Sequence, residues 1–183
     1  LYTRFLDILT SSINTLTENQ ASKIKASSDV CFAGDVVKWI RFANSLKLRY
    51  AMRIVYADPD KAQKAAGEVA AHPIGTLASN DDNPVYEHPG RNLYYFTMVQ
   101  WGDHRAAADI VCYMNGFKDP RREKYFTESD FGGYVGWRRG VNPANAPMGS
   151  KCSNMNVTAE TPMRWFVAAE AYFLKAEGAL RGW

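Results

Sequence analysis

Aromatic rings set among turn formers and polar side chains are the residues of this chain whose types and spacing suggest chemistry. Asn92 is followed by Leu93, Tyr94, Tyr95 and Phe96, with Trp101 and Asp103 a few positions on, and a second group holds Tyr134, Trp137 and Arg138. Flat aromatic faces stack on the apolar faces of sugar rings, while neighbouring Asn, Asp and Arg side chains hydrogen-bond the hydroxyls. That chemistry nominates Trp101, Tyr95, Asp103, Asn92, Trp137 and Tyr134 as glycan-binding candidates. Trp101 ranks ahead of Trp137 because Gln100, Gly102, Asp103 and His104 surround it. The competing use of the same rings is to pack loops onto a scaffold. A ring that stacks on a ligand stays partly exposed, which separates the two roles.

Other chemistries find little support. His72, His88 and His104 lack ligand spacing, no Gly-x-Ser-x-Gly elbow occurs, and no Gly-rich phosphate loop follows a strand. Asp81 and Asp82 sit side by side in an Asn/Pro stretch and read as a turn rather than a glycosidase carboxylate. Glu170 and Glu177 share a helical face and read as scaffold. Cys31, Cys112 and Cys152 are odd in number and far apart, matching neither zinc nor disulfide spacing, and are expected to be unpaired. No metal, cofactor or catalytic residue is expected. Lys38, Arg41, Lys47, Arg49 and Arg53 read as stems lying over a stacked helix, with heads in water or paired to acids. With 22 basic and 19 acidic residues the net charge is +3, too little for nucleic-acid binding. No apolar run approaches the roughly 20 residues that span a bilayer.

The elements that must position these residues are mainly helical. Phe5, Ile8, Leu9, Ile13 and Leu16 recur at helical spacing and predict a helix over Tyr2–Thr17. Gly34 and Asp35 supply a turn and an N-cap for a long helix over Val36–Ala57. One face of it carries Trp39, Phe42, Ala43, Leu46 and Tyr50, another Leu48, Met52 and Val55, so it should be buried on two sides. Asp58-Pro59 ends that helix and starts an Ala-rich one reaching Ala71, giving a hairpin of about tetratricopeptide size. From His72 to Gly102 the turn formers, among them Pro73, Pro89 and Gly90, predict no regular helix. A short helix is expected over Asp103–Asn115, capped by Asp103, followed by a second loop region rich in Gly and Pro, Pro143 and Pro147 included. Thr161-Pro162 is read as the start of a closing helix to Leu180, whose packing partner is expected outside the chain.

The run from Gly34 through Trp39, Phe42, Ala43, Asn44, Ser45, Leu46, Leu48, Arg49, Ala51 and Met52 to Ile54 resembles the signature helix of the SusD/RagB family of outer-membrane nutrient-binding lipoproteins. Asp119-Pro120-Arg121-Arg122 with Tyr125-Phe126, and Glu170 through Phe173, Leu174, Ala176 and Glu177 to Gly182, follow in that family's order. The resemblance covers about residues 29–183. It implies a mainly α fold of tetratricopeptide-like helical pairs with long loop-rich insertions, here a scaffold of 1–71 and 161–183 and an insertion of 72–160 within part of one domain. It further implies non-catalytic binding of a glycan or other large nutrient at the cell surface and delivery to a SusC-like TonB-dependent transporter. The chain is then expected to be an internal fragment, with a lipidated cysteine upstream of Leu1 as its sole tie to the outer membrane and further helices after Trp183. A generic helical-repeat interaction module is the first rival, with its ligand on concave helix faces rather than loops. A glycan-active enzyme, which would release reducing sugar, is the second.

Overall fold

The computed structural model of the chain describes residues 1–86, 90, 92–141 and 146–183, so His88, Pro89 and Pro143 lie outside the described residues. In chain order these form α1 (Tyr2–Glu18), α2 (Val36–Arg53), α3 (Pro59–Ala71), β1 (Val85–Tyr86), a π-helical segment (Tyr95–Gln100), α4 (Ala108–Gly116), α5 (Arg122–Tyr125), α6 (Ala146–Gly149), β2 (Met163–Arg164) and α7 (Ala168–Leu180), with short 3-10 turns at 26–28 and 80–82. The chain is mainly α. It divides into two compact units, one of Leu1–Tyr86 with Met163–Trp183, the other of Glu87–Pro162.

In the first unit α2 is buried on two sides. One side joins α1 and α3 in a cluster of Leu6, Leu48, Ala51, Met52, Ala62, Ala65, Ala66 and Val69. The small alanines of α3 let it lie close against α2. The other side carries Phe42, which meets Phe32, Leu77, Phe166, Ala168 and Ala171. Tyr50 departs from its expected face: its ring stacks on Phe5 of α1 at 5.3 Å. In α1 itself Leu6 and Ile13 are the buried residues, whereas Ile8 is half exposed.

The caps follow the sequence at α2 and α3. Asp35 accepts from the Lys38 amide and Asp58 from the Lys61 amide, with Pro59 in the first turn. Asp29 organises the preceding loop, since its carboxylate accepts from the amides of Cys31, Phe32 and Gly34 and from Trp39 Nε1. Burial raises the pKa of that carboxyl, but the four hydrogen bonds outweigh burial and hold it below the ordinary value. Gly34 has φ +89°, and a Cβ there would stand 2.2 Å from the Ile24 carbonyl oxygen, so only glycine is accommodated.

Three boundaries differ from expectation. α2 stops at Arg53, and Ile54–Ala57 turns toward Asp58 instead of extending the helix. Thr161-Pro162 does not start α7. Thr161 Oγ1 instead accepts from the Thr158 amide, and the chain extends as β2, which pairs antiparallel with β1, before α7 begins at Ala168. α7 also has its partner inside the chain: it packs on α2, with Ala168, Ala171 and Gly178 buried.

The basic residues of α2 are mostly tied to acids. Lys47 is buried and paired with Glu68, Arg49 makes a two-pronged pair with Glu170 at 2.6 and 2.7 Å, and Arg41 meets Asp82 at 2.7 Å. Asp82 is buried, and besides Arg41 it accepts from the Ala78 and Ser79 amides, so it closes the turn that Asp81 and Asp82 suggested. Arg181, at the C-cap of α7, binds Glu177.

The second unit gathers around Ala106, Val111, Met114 and Phe126, with Tyr134 packed against them. Its layers are joined by single bridges, Ala107 to Trp137 and Phe126 to Met155. Gly136 lies so close to α4 that a Cβ there would be 2.5 Å from Ala108 Cα.

Candidate glycan platform

The segment expected to lack regular structure contains helical turns. Asn92 heads them: its Oδ1 accepts from the Tyr95 amide at 2.9 Å, and its Nδ2 donates to the Thr161 carbonyl at 2.6 Å. Local capping by one Asn side chain stabilises a short helix that composition alone argues against. The turns widen into the π-helix Tyr95–Gln100, closed by the Trp101 amide donating to the Phe96 carbonyl at 2.8 Å. Wide helical turns of this kind concentrate at functional sites.

Trp101 stands at the end of that π-helix with 65% of its surface exposed. The backbone carrying it is pinned from several directions. The Arg105 guanidinium donates to the carbonyls of Gly102 and His104, at 3.0 and 2.6 Å. Asn154 Nδ2 donates to the Met98 carbonyl, and the Asp103 amide to the Thr97 carbonyl at 3.0 Å. Gly102 adopts φ +73°, the left-handed turn that lets the chain reverse directly after the indole. A large ring is therefore held in water on a fixed support, beside the exposed side chains of Gln100, Asp103 and His104. Tyr95 is half buried within the π-helix, its ring edge-on to Phe96 at 5.8 Å.

The six nominated residues therefore fall into different roles. Trp101 and Asp103 are exposed and two positions apart, and Tyr95 is half buried at the start of the π-helix. Asn92 is corrected: it is 2% exposed with both ends of its amide engaged, so it holds the segment and offers no free group to a sugar hydroxyl. Asp103 does not cap α4, which begins at Ala108 behind Ala107 without a side-chain cap. Tyr134 is half buried against the second unit's core, with the Arg122 guanidinium 4.4 Å above its ring. Trp137 is half buried, its backbone bridged to Ala107 and one ring face covered by Gly149, where a Cβ would fall 3.1 Å from the indole. These two rings brace their loops.

Tyr113 and Phe117, 71% and 80% exposed on α4, carry no signal in the sequence, because their spacing is that of an ordinary helical stripe. Trp165 stacks on Tyr86 at 5.6 Å in the first unit. Among the described residues, no group of three or more His, Cys, Asp and Glu side chains is placed to hold a metal, and no helix is long and apolar enough to cross a membrane. Cys31, Cys112 and Cys152 are free thiols.

A mainly helical chain of paired helices and long loops has the fold of SusD-like proteins. The family model "SusD-like: Susd and RagB outer membrane lipoprotein" matches residues 1–183, and the chain belongs to that family. A chitin-binding SusD homologue from Flavobacterium johnsoniae is 34% identical over 100% of this chain and 39% of its own, with a TM-score of 0.90. A SusD homologue from Bacteroides uniformis ATCC 8492 is 37% identical over 97% of this chain and 38% of its own, at TM-score 0.86. One from Bacteroides thetaiotaomicron VPI-5482 is 37% identical over 100% of this chain and 39% of its own, at TM-score 0.87. The chain thus spans about two fifths of the length of these structures. No curated protein matches it.

Proposed function

We propose that the chain is part of a non-catalytic protein of the bacterial outer surface that binds glycan and passes it to a SusC-like TonB-dependent transporter. The observation that carries this reading is Trp101, an indole held 65% exposed at the end of a π-helix whose backbone is fixed by Arg105 and Asn154. A backbone that is already fixed loses little freedom when a sugar stacks on the ring it carries, so more of the stacking energy survives as affinity. Asp103 and Gln100, both exposed within two residues of Trp101, bring hydrogen-bonding groups for the hydroxyls of a stacked sugar. The chitin-binding relative from Flavobacterium johnsoniae supports a saccharide as the ligand class. Attachment to the outer membrane through a lipidated N-terminal cysteine follows the lipoprotein character of the family.

The test is a panel of immobilised polysaccharides, chitin among them, probed with the full-length protein. Selective retention on one or more glycans is the expected result. Retention on none, with the protein folded, would overturn the reading.

A further inference from the structure

His72 closes α3 and ties it to α1 through one imidazole. It is the C-cap residue of α3 and is half buried. Its Nδ1 accepts from the Ile74 amide at 3.3 Å, and its Nε2 lies 3.2 Å from Thr17 Oγ1 near the end of α1. The surrounding bonds fix the tautomer. Thr17 donates its single hydroxyl proton to the Ile13 carbonyl at 2.7 Å, so toward the ring it can only accept. Nε2 therefore carries the proton, and Nδ1 keeps the lone pair that the Ile74 amide needs. At the other end of α1, Lys61 of α3 donates to Thr3 Oγ1 at 3.3 Å, in an exposed bond.

A second proton on the ring has one place to go, Nδ1, and there it would set an N–H against the Ile74 N–H. The turn beyond is anchored on α2, where the buried Asn44 donates to the Gly75 carbonyl at 2.9 Å. The imidazole, rather than the turn, is then the part free to rotate away, and the Thr17 bond goes with it. The surroundings oppose the imidazolium as well. Burial, and after it the Lys47 ammonium of α2, push the His72 pKa below its ordinary value. Of the acids nearest in sequence on the other two helices, Glu68 of α3 is committed to Lys47, and Glu18 of α1 is exposed.

We infer that His72 is an acid-sensitive latch, holding the C-terminal turn of α1 on the α2–α3 hairpin at neutral pH and releasing it in mildly acidic water. A histidine whose folded pKa lies below the unfolded value of about 6.5 contributes stability that is present above that pH and is lost as pH falls through the folded pKa. Leu6 and Ile13 stay buried, so α1 frays from its end instead of leaving the unit. The Asp29 and Asp82 carboxyls, both held below the ordinary carboxylate value, remain ionised throughout this window.

The experiment measures amide hydrogen exchange in the last turn of α1, as protection factors corrected for the intrinsic effect of pH, in full-length wild type and His72→Gln. Glutamine keeps a donor and an acceptor but gains no proton near neutrality. Wild-type protection should fall about five-fold between about pH 7.5 and about pH 5, the loss expected for roughly one net hydrogen bond, while His72→Gln shows no such fall. Proton–nitrogen correlation spectra of the wild-type imidazoles give a second readout that needs no variant to fold. They should show His72 with its proton on Nε2 at neutral pH and a midpoint below about 6.5. Equal wild-type protection at both pH values overturns the latch. The same fall in His72→Gln overturns it too, because another group would then be responsible, and so does a neutral ring protonated on Nδ1.

Discussion

Asn92 and Trp101 lie nine positions apart and divide the labour of the candidate site. Both were legible as polar and aromatic residues in a loop, but burial separates them, and burial is a property of the fold. Replacing Asn92 by Ala leaves the Tyr95 amide and the Thr161 carbonyl without their partner. The expected cost is about 1–3 kcal/mol of stability, measured by urea unfolding. Loss of glycan binding without any loss of stability would instead make Asn92 a ligand contact. Asp29 and Asp82 set the response to acid. Burial raises both pKa values, yet hydrogen bonds from Trp39 and three amides at Asp29, and from Ala78, Ser79 and Arg41 at Asp82, bring both below normal in the folded state. A folded pKa below the unfolded value of about 3.9 contributes stability above that pH, and the contribution is lost as pH falls through the folded pKa. The melting temperature should therefore drop steeply below about pH 4, and Asp29→Asn should lower it at neutral pH while flattening the acid limb. A melting temperature constant down to pH 3, against the shift direction of both carboxyls, would contradict this.

At the scale of elements, α2 and α3 were readable because local signals agreed: an Asp cap, a first-turn proline and an apolar pattern on two faces. α4 and α7 were misplaced at their starts because Asp103 and Thr161-Pro162 are good local caps whose side chains or backbone are claimed by loop contacts. The π-helix was invisible, since its wide turns rest on the local side chains Asn92 and Arg105 together with Asn154, which arrives from a distant part of the chain. Gly136 is another case of a fold-level demand on one residue. It permits the chain to run against α4, and Gly136→Ala would push a methyl to 2.5 Å from Ala108 Cα and 2.7 Å from the Ala107 carbonyl oxygen. A loss of about 1–3 kcal/mol in thermal or urea unfolding is expected. An unchanged melting temperature would show that α4 yields to the added methyl.

For the whole molecule, family membership was legible in three motifs, the α2 and α7 helices of the first unit and the Asp119-Pro120-Arg121 turn of the second. The ligand surface was less legible, because loop aromatics have the same composition whether they brace a loop, as Tyr134 and Trp137 do, or face water, as Trp101 does. The central claim is that Trp101 is a presented platform, and Trp101→Ala tests it most directly when binding and unfolding are measured on the same preparation of full-length protein. An exposed ring outside the core should change stability by no more than about 0.5 kcal/mol when truncated, while glycan affinity falls about ten-fold or more. A drop of about 3–5 kcal/mol in stability would place the indole in the core, and unchanged affinity with unchanged stability would remove Trp101 from the site altogether.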